Sequence, residues 1–389
     1  MADERLQEVI QIEGQIARIK DLDLLLERIL TEVRRFVRAD AGSIYLKVDG
    51  QLEFSYTQND TLRQRLPAGQ KLIYDTFSLP IDNTSIAGYA ASQGVELNIA
   101  DVYEIPASAP YSFGKAFDEK ADYRTRSMFT LPLKIFRGDT VGVLQVINAH
   151  DEDGNIASFS PEDALLIHHF ANGAAVAIER AQMTRTIFLR MISMTELRDP
   201  KETGPHVSRV ASYSTELYEV WARRQKLAER EIERQRDVLR SAAMLHDVGK
   251  VSISDTILKK PGPLTDEEYA AMKEHTIVGA QLFADPKSEI DEAAGVVALN
   301  HHERWDGGGY PHGKSGDEIP LFGRLVAVAD VYDALCSRRS YKEAWADDEV
   351  LAELKKNSGS QFDPEIIADF VSIYALIQSI KARYPEADI

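Results

Sequence analysis

The sequence predicts two folds in succession, an α+β domain built on an antiparallel sheet and then an all-helical domain. A helical stripe over 3–38 is followed by the alternating segments of 43–57, which flank the turn Asp49-Gly50. A second candidate hairpin spans 129–146. Helix, hairpin, loops, hairpin and helix in this order are typical of an α+β domain. In the second half of the chain the apolar residues recur at helical spacing, without a convincing strand.

The bulk composition limits the class of protein. A length of 389 residues predicts two or three domains at roughly 100–200 residues each. The formal charge of −17 argues against a general nucleic-acid binder, so we expect no DNA partner. The single cysteine, Cys336, excludes an internal disulfide and suits a reducing, cytoplasmic location. No apolar run approaches the ~18 residues that a bilayer-spanning helix needs, so we expect no membrane partner.

A long helix should link the two domains. Ser160 is a candidate N-cap, Pro161 suits the first helical position, and the apolar spacing continues to Asp199-Pro200. A helix over 160–200 is longer than an ordinary globular helix, which is typical of a signalling stalk and of a parallel dimer coil. The alternative is a helix that lies along its own domain.

Histidines and carboxylates recur in the second half of the chain. They are His246-Asp247, His275, His301-His302 and Asp330. Imidazole and carboxylate together suit iron, manganese or zinc. Neighbouring residues on a helix point about 100° apart, so the pair His246-Asp247 suits two ions, with the carboxylate bridging them, better than one. Two metals close together activate water and stabilise both oxygens of a phosphoryl displacement. The sequence therefore predicts a metal-dependent phosphoesterase.

Three separated motifs over about residues 195–370 resemble those of the HD-GYP family. They are His246-Asp247-Val248-Gly249-Lys250, the stretch 301–311 that ends in Gly307-Gly308-Gly309-Tyr310-Pro311, and 329–335 with Asp330 and Asp333. The resemblance implies that 201–389 form an all-helical HD-type domain that hydrolyses cyclic di-GMP to pGpG, with further hydrolysis to GMP left open. Two alternatives also stay open. The substrate could be another cyclic dinucleotide such as cyclic GMP-AMP, or the domain could be a cyclic di-GMP receptor without turnover.

The same resemblance implies ligands for two or three divalent ions, usually iron, with manganese or zinc as alternatives. The core ligands fall on His246, Asp247, His275, His301, His302 and Asp330. A third ion would be held by Glu202 and His206, four residues apart. The alternative is a two-metal site with Glu202 in a solvated turn, because Pro205 disfavours helix in the residue before it.

The resemblance also implies the substrate contacts. Lys250 would assist the reacting phosphate, with Asp333 beside it, so that Asp247, Lys250 and Asp333 form the catalytic set. Arg339 and Lys342 would hold the phosphates. Tyr310 would present its ring and hydroxyl at the mouth of the site, and the alternative is a packed turn residue.

The first domain resembles GAF domains over about residues 20–182. The segments 98–103 and 123–128 are similar to those of GAF domains that accompany phosphodiesterases, and Phe117-Asp118-Glu119 is similar to part of a cyclic-nucleotide-binding signature. The resemblance implies that 1–182 form a sensor domain with an N-terminal helix, and that its small ligand is unknown. We expect this domain to regulate the catalytic domain through the 160–200 helix, in a homodimer.

Overall fold

The computed structural model describes residues 2–66, 77–196, 204–337 and 345–385. The chain divides into two compact units, Met1–Thr184 and Arg185–Ile389. Within the described ranges, every helix is either too short or too polar to cross a lipid bilayer.

The first unit is built on one antiparallel sheet. Its elements are α1 (Ala2–Ile16), α2 (Leu22–Phe36), β1 (Ala39–Val48), β2 (Gln51–Asn59), α3 (Asp60–Gln64), β3 (Ser78–Pro80), α4 (Ile86–Gln93), β4 (Leu97–Ile99), a 3-10 turn (Val102–Glu104), α5 (Ala116–Ala121), β5 (Met128–Lys134), β6 (Thr140–His150), β7 (Ile156–Ala157) and the first part of α6 (Pro161–Glu196). The strand order is β3-β2-β1-β6-β5-β4, and β7 pairs with β6. The predicted α+β fold is confirmed.

Both predicted hairpins are present. Asp49 and Gly50 join β1 to β2 with φ angles of 48° and 80°, the left-handed conformation that a two-residue hairpin turn requires. Leu52 is buried while its neighbour Glu53 is exposed, as the alternation predicts. The helical pattern of 3–38 forms two helices rather than one, and Asp21 begins the second by accepting hydrogen bonds from two backbone N–H groups.

The helix predicted after Ser160 runs from Pro161 to Glu196 without a break. Ser160 and Asp163 exchange hydrogen bonds at its start, where the Ser160 hydroxyl accepts from the backbone N–H of Asp163 at 3.1 Å. Residues 197–203, which include the predicted end at Asp199-Pro200, lie outside the described residues.

The first half of α6 has two different faces. One face packs into the core of the first unit through Phe170 and Ile178, together with Leu30 of α2 and Val146 of β6. The alternative of a helix that lies along its own domain therefore describes this half. The opposite face leaves Leu165, Val176 and Met183 exposed by 71%, 57% and 67%.

The second unit is all-helical within the described residues, as predicted. Its elements after α6 are α7 (Gly204–Arg224), α8 (Glu229–Ala243), a 3-10 turn (Val248–Ser252), α9 (Asp255–Leu258), α10 (Asp266–Gln281), α11 (Glu289–Asn300), a 3-10 turn (Gly316–Glu318), α12 (Leu321–Cys336), α13 (Asp347–Lys356), α14 (Pro364–Ser372) and α15 (Tyr374–Arg383). Helix α7 packs against α8 and α12, and α11 packs against α8, α10 and α12. Buried rings of Tyr213, Tyr332 and Phe370 fill the core between them.

Candidate metal centre

Seven of the eight predicted metal ligands lie together in the second unit, in two neighbouring groups. The potential ligand atoms of Asp247, His275, His301 and His302 lie within 4.8 Å of one another, and so do those of His206, His246 and Asp330. The eighth, Glu202, lies outside the described residues, as do Arg339 and Lys342. The roles expected for these three residues stay predictions.

Five helices and a tight turn bring the candidate ligands together. His246 and Asp247 follow the end of α8, His275 lies on α10, and His301 directly follows α11. Gly249 permits the close approach, because a Cβ at this residue would lie 1.9 Å from the His275 carbonyl oxygen. The glycine of the first motif therefore places Asp247 against His275. The sequence showed this glycine but not which backbone it meets.

The Asp247 carboxylate lies between the two groups. Its Oδ1 is 3.1 Å from Nε2 of His275 and 3.5 Å from Nε2 of His301. Its Oδ2 is 3.4 Å from Nε2 of His246 and 2.8 Å from the Lys250 ammonium. Each oxygen thus faces a different set of imidazoles, which is the arrangement that a bridging carboxylate needs.

Backbone carbonyls fix which nitrogen of three histidines can bind a metal. Nδ1 of His246 lies 2.8 Å from the Ala243 oxygen, Nδ1 of His275 lies 2.7 Å from the Met272 oxygen, and Nδ1 of His301 lies 3.1 Å from the carbonyl oxygens of the residues three and four positions before it. Because a carbonyl oxygen only accepts, each Nδ1 carries the proton and each Nε2 presents its lone pair. All three Nε2 atoms face Asp247.

The residues present fit a metal ion. Among the described residues, Nε2 of His275, Nε2 of His301 and Oδ1 of Asp247 are buried without a hydrogen-bond partner. A buried polar atom without a partner costs free energy, and several that converge on one point are best explained by a cation. Mixed imidazole and carboxylate donors are the ligand set of iron, manganese or zinc rather than of magnesium or calcium.

The charge states also suit metal binding. Burial acts to raise the pKa of Asp247, but the Lys250 ammonium holds it well below its usual value, so the carboxylate is ionised. Burial lowers the pKa of His301, and burial together with the neighbouring His301 lowers that of His302 well below its usual value. Neutral imidazole is the form that binds metals.

Asp333 contacts His206 and Arg209, and its expected catalytic role beside Lys250 stays a prediction. The carboxylate of Asp333 is completely buried and accepts a hydrogen bond from Nδ1 of His206 at 2.8 Å. Arg209 holds both of its oxygens, from Nε at 2.6 Å and from Nη2 at 2.8 Å. Asp333 thus orients a candidate ligand, and Lys250 pairs with Asp247 instead. Sequence reasoning missed Arg209, although its spacing of three residues from His206 on a helix was a usable signal.

The Tyr310 ring lies over the first ligand group. Its centroid is 4.8 Å from that of His302, at an interplanar angle of 31°. Of the three preceding glycines only Gly307 has a positive φ, 80°. Gly309 serves a close approach instead, because a Cβ there would lie 2.4 Å from the Arg304 backbone nitrogen. The position of the ring suits the expected role at the mouth of the site.

Glu303 stabilises the same loop through hydrogen bonds to its backbone, a role that sequence reasoning did not assign. Its buried carboxylate accepts hydrogen bonds from the backbone N–H groups of His312 and Lys314, at 2.8 and 3.0 Å. This residue follows directly after His301-His302 in the chain. His301 and His302 therefore belong to the candidate ligand group, and Glu303, the next residue, fixes the loop.

The chain thus has an α+β domain built on an antiparallel sheet, and a helical domain that holds a cluster of candidate metal ligands. Residues 21–178 match the family model described as GAF domain, and residues 191–366 match the one described as HD domain. The chain therefore combines a GAF domain with an HD domain, as the sequence predicts.

Curated relatives match part of the chain. A cyclic di-GMP phosphodiesterase of Vibrio cholerae is 38% identical over 257 residues, which are 64% of this chain and 51% of that protein. A 3'3'-cGAMP-specific phosphodiesterase of the same organism is 37% identical, over 54% of this chain and 38% of that protein. A cyclic di-GMP phosphodiesterase of Thermotoga maritima is 44% identical, over 38% of this chain and 40% of that protein. The chain thus spans about half the length of these relatives, or less.

Proposed function

We propose that the HD domain is a metal-dependent phosphodiesterase that hydrolyses cyclic di-GMP to pGpG. The observation that carries this proposal is the Asp247 carboxylate, which lies between two groups of buried histidines. The names of the relatives from Vibrio cholerae and Thermotoga maritima support the substrate.

Each residue would have a separate role in the reaction. A pair of divalent ions, when bound, supplies an activated water and the positive charge that stabilises a phosphoryl displacement. Lys250, beside Asp247, would donate to a non-bridging phosphate oxygen as a point charge. The oxygen of water would form a bond to phosphorus, the bond from phosphorus to the ribose 3′ oxygen would break and open the ring, and a proton from the water would pass to the 3′ oxygen. Tyr310 would cover the mouth, and Arg339 and Lys342 would hold the phosphates.

We propose that at least two ions bind, one to each ligand group. The first would use Asp247, His275, His301 and His302, and the second would use His206, His246 and Asp330. A third ion would need Glu202 together with His206. We propose iron, with manganese or zinc as the alternatives, and the mixed imidazole and carboxylate donor set is compatible with all three.

The experiment combines metal analysis with an assay on one sample. The full chain is purified without added metal, its metals are measured, and cyclic di-GMP cleavage is followed. We expect two to three ions per chain and production of pGpG, both reduced in Asp247→Asn. Fewer than two ions per chain, not restored by reconstitution, would contradict the proposal.

A second candidate substrate is 3'3'-cyclic GMP-AMP. The relative from Vibrio cholerae that is named for this substrate is 37% identical to the chain, about the same as the first cyclic di-GMP relative. The two substrates differ in one base, so kcat/KM measured for each on the metal-loaded protein separates them. Binding of both without cleavage would favour the receptor alternative.

We propose that the GAF domain is a sensor with a small ligand. A cavity of about 400 Å³ lies along the segment from Val102 to Lys115. Asp118 anchors this segment, because its buried carboxylate accepts hydrogen bonds from the Tyr103 hydroxyl at 2.9 Å and from Thr125 at 2.8 Å. Asp118 thus has a structural role in the domain. A ligand in the cavity would contact the segment that Asp118 anchors.

Regulation would pass along α6 in a homodimer. The exposed residues Leu165, Val176 and Met183 are 11 and 7 positions apart, which places them on one side of the helix, opposite the face in the domain core.

Two variants test this role of α6. Met183→Glu should reduce dimerisation, measured by light scattering. A four-residue insertion after Thr184 should change the response of the enzyme to its sensor; unchanged activity and response would contradict this proposal. The buried, unpaired Cys336 is compatible with action in the cytoplasm.

A further inference from the structure

Two residues of α10 extend the aromatic cluster that Tyr310 forms beside the candidate metal ligands. Tyr269 lies edge-to-face with Tyr310, with ring centroids 6.3 Å apart and an interplanar angle of 79°. Lys273, one turn further along the helix, places its ammonium 4.6 Å from the Tyr269 ring centroid and 5.3 Å from that of Tyr310. Since Tyr310 stacks beside His302, this patch adjoins the ligand groups.

Lys273 differs from the other lysines near the site. Lys250 pairs with Asp247 and Lys260 pairs with Glu268. Within the described ranges, no carboxylate forms an ion pair with Lys273, and its ammonium lies over two π faces instead. Tyr269 is 46% exposed, so one side of its ring is open to solvent. Tyr269 offers an exposed aromatic ring, and Lys273 offers a positive charge without a carboxylate partner. A flat ligand with acceptor atoms at its edge can contact both.

A purine base has the matching chemistry. Its face stacks on an aromatic ring, and this contact is tolerant of base identity. Its edge is not: guanine presents two acceptors, O6 and N7, to a single cation, whereas adenine presents the acceptor N7 beside the donor N6–H₂. A base that stacks on the Tyr269 ring would displace the Lys273 ammonium from the ring face to the edge of the base, where a cation favours guanine.

We propose that Tyr269 and Lys273 form a base-binding subsite that selects guanine over adenine, with Tyr269 stacking on the base and Lys273 donating to O6 and N7. This inference rests on the proposed function and assigns the part of the substrate outside the reacting phosphate. The patch lies beside the histidine cluster rather than within it. In the proposed reaction the reacting phosphate contacts Lys250 and the bound ions, so Tyr269 and Lys273 are left for another part of the substrate. The subsite thus governs which cyclic dinucleotide the enzyme accepts.

The test compares Lys273→Met, which keeps the side-chain length and removes the charge, with Tyr269→Leu. Lys287→Met is the matched control, since Lys287 is an exposed lysine that pairs with Asp285. We expect Lys273→Met to lower kcat/KM for cyclic di-GMP by roughly tenfold or more and to leave that for cyclic di-AMP within about twofold. Tyr269→Leu should lower both by about fivefold or more, because stacking does not distinguish the bases. The metal content should stay unchanged in all three variants.

An equal loss of both activities in Lys273→Met would assign the lysine to a phosphate and overturn the proposal, and so would no loss at all. A second measurement separates this inference from the proposed function: equilibrium binding of GMP and AMP to the metal-loaded proteins. The wild type should bind GMP more tightly, and Lys273→Met should lose the difference. A wild type that shows this preference but cleaves no cyclic dinucleotide would contradict the proposed function and leave the guanine subsite standing. Cleavage of cyclic di-GMP without any preference of GMP over AMP would support the proposed function and contradict the guanine subsite.

Discussion

Nδ1 of His206 donates a hydrogen bond to the Asp333 carboxylate at 2.8 Å, which leaves Nε2 to face Asp330 at 3.8 Å. Arg209 supports the same carboxylate, and burial, which alone would raise the pKa of Asp333, is outweighed by His206 and Arg209, which lower it. An ionised carboxylate behind an imidazole fixes the tautomer and strengthens the imidazole as a ligand. Asp333 is therefore a positioning residue for the second ligand group.

Asp333→Asn should weaken binding of one metal ion and not of both. We expect affinity for one ion to fall by roughly 10–100-fold, as is usual when the partner of a metal-binding histidine is changed. Metal content after dialysis against a weak chelator would measure this loss. The control is Asp317→Asn, an exposed carboxylate on the same unit that pairs with Arg324. A full metal complement with a reduced kcat would instead return Asp333 to a direct role in catalysis.

Gly309→Ala should impair the enzyme far more than Gly308→Ala. A Cβ at Gly309 would lie 2.4 Å from the Arg304 nitrogen and 2.6 Å from the Glu303 Cα, both of which are backbone atoms. At Gly308 the nearest atom is a side-chain oxygen of Asp306 at 3.1 Å. Overpacking of this kind costs about 1–3 kcal/mol, so the Gly309 variant should misplace Tyr310 and raise KM. Steady-state kinetics on both variants decides, and equal KM values would show that the close approach is unimportant.

Gly249→Ala should disrupt the ligand cluster itself. Its new Cβ would meet the His275 carbonyl oxygen at 1.9 Å and the Gly279 nitrogen at 2.5 Å, so the turn after Asp247 and helix α10 must separate. We expect a lower melting temperature together with loss of bound metal. Gly295→Ala on α11 is the matched control, because the atom nearest to its Cβ would be the Phe283 Cβ at 3.4 Å, an ordinary contact distance. Metal content unchanged in the Gly249 variant would contradict the placement of these two backbones.

Removal of metal should destabilise the HD domain selectively. Ions that bind only the folded state stabilise it by about 2.7 kcal/mol at a free concentration a hundred times the dissociation constant. The buried nitrogens of His275 and His301 and Oδ1 of Asp247 would lose this compensation in the chelated protein. Differential scanning calorimetry with and without chelator should therefore show a lowered transition in the wild type. Asp247→Asn should respond less, and an equal response would mean that the ions bind elsewhere.

The architecture was largely predictable because its signals are local. Asp49-Gly50 determines a hairpin with two residues, and Ser160 with Asp163 begins α6 through contacts three residues apart. The two faces of α6 were not predictable in the same way. Leu165 and Phe170 are both apolar, and only tertiary packing decides that Phe170 is buried and Leu165 exposed.

Motif resemblance predicted which histidines and carboxylates lie together, but not the residues that support them. His246, Asp247 and His275 were expected together and lie together. The contacts of Asp333 with His206 and Arg209 were not predicted, because the sequence shows that Asp333 is three residues from Asp330 but not which helix its carboxylate faces. The contact between Gly249 and the His275 carbonyl is a long-range approach of two backbones, and no local pattern encodes it.

The carbonyl oxygens that hold Nδ1 of His246, His275 and His301 belong to the preceding turn of the same chain segment. The imidazoles are therefore already aimed before any ion arrives, and binding requires little reorganisation of the backbone. An ion can leave and another can enter while the helices stay folded, unlike in small domains that fold only around their metal. The occupying element will accordingly follow the supply in the growth medium, and protein from iron-rich and manganese-rich cultures should carry different ions in the same cage.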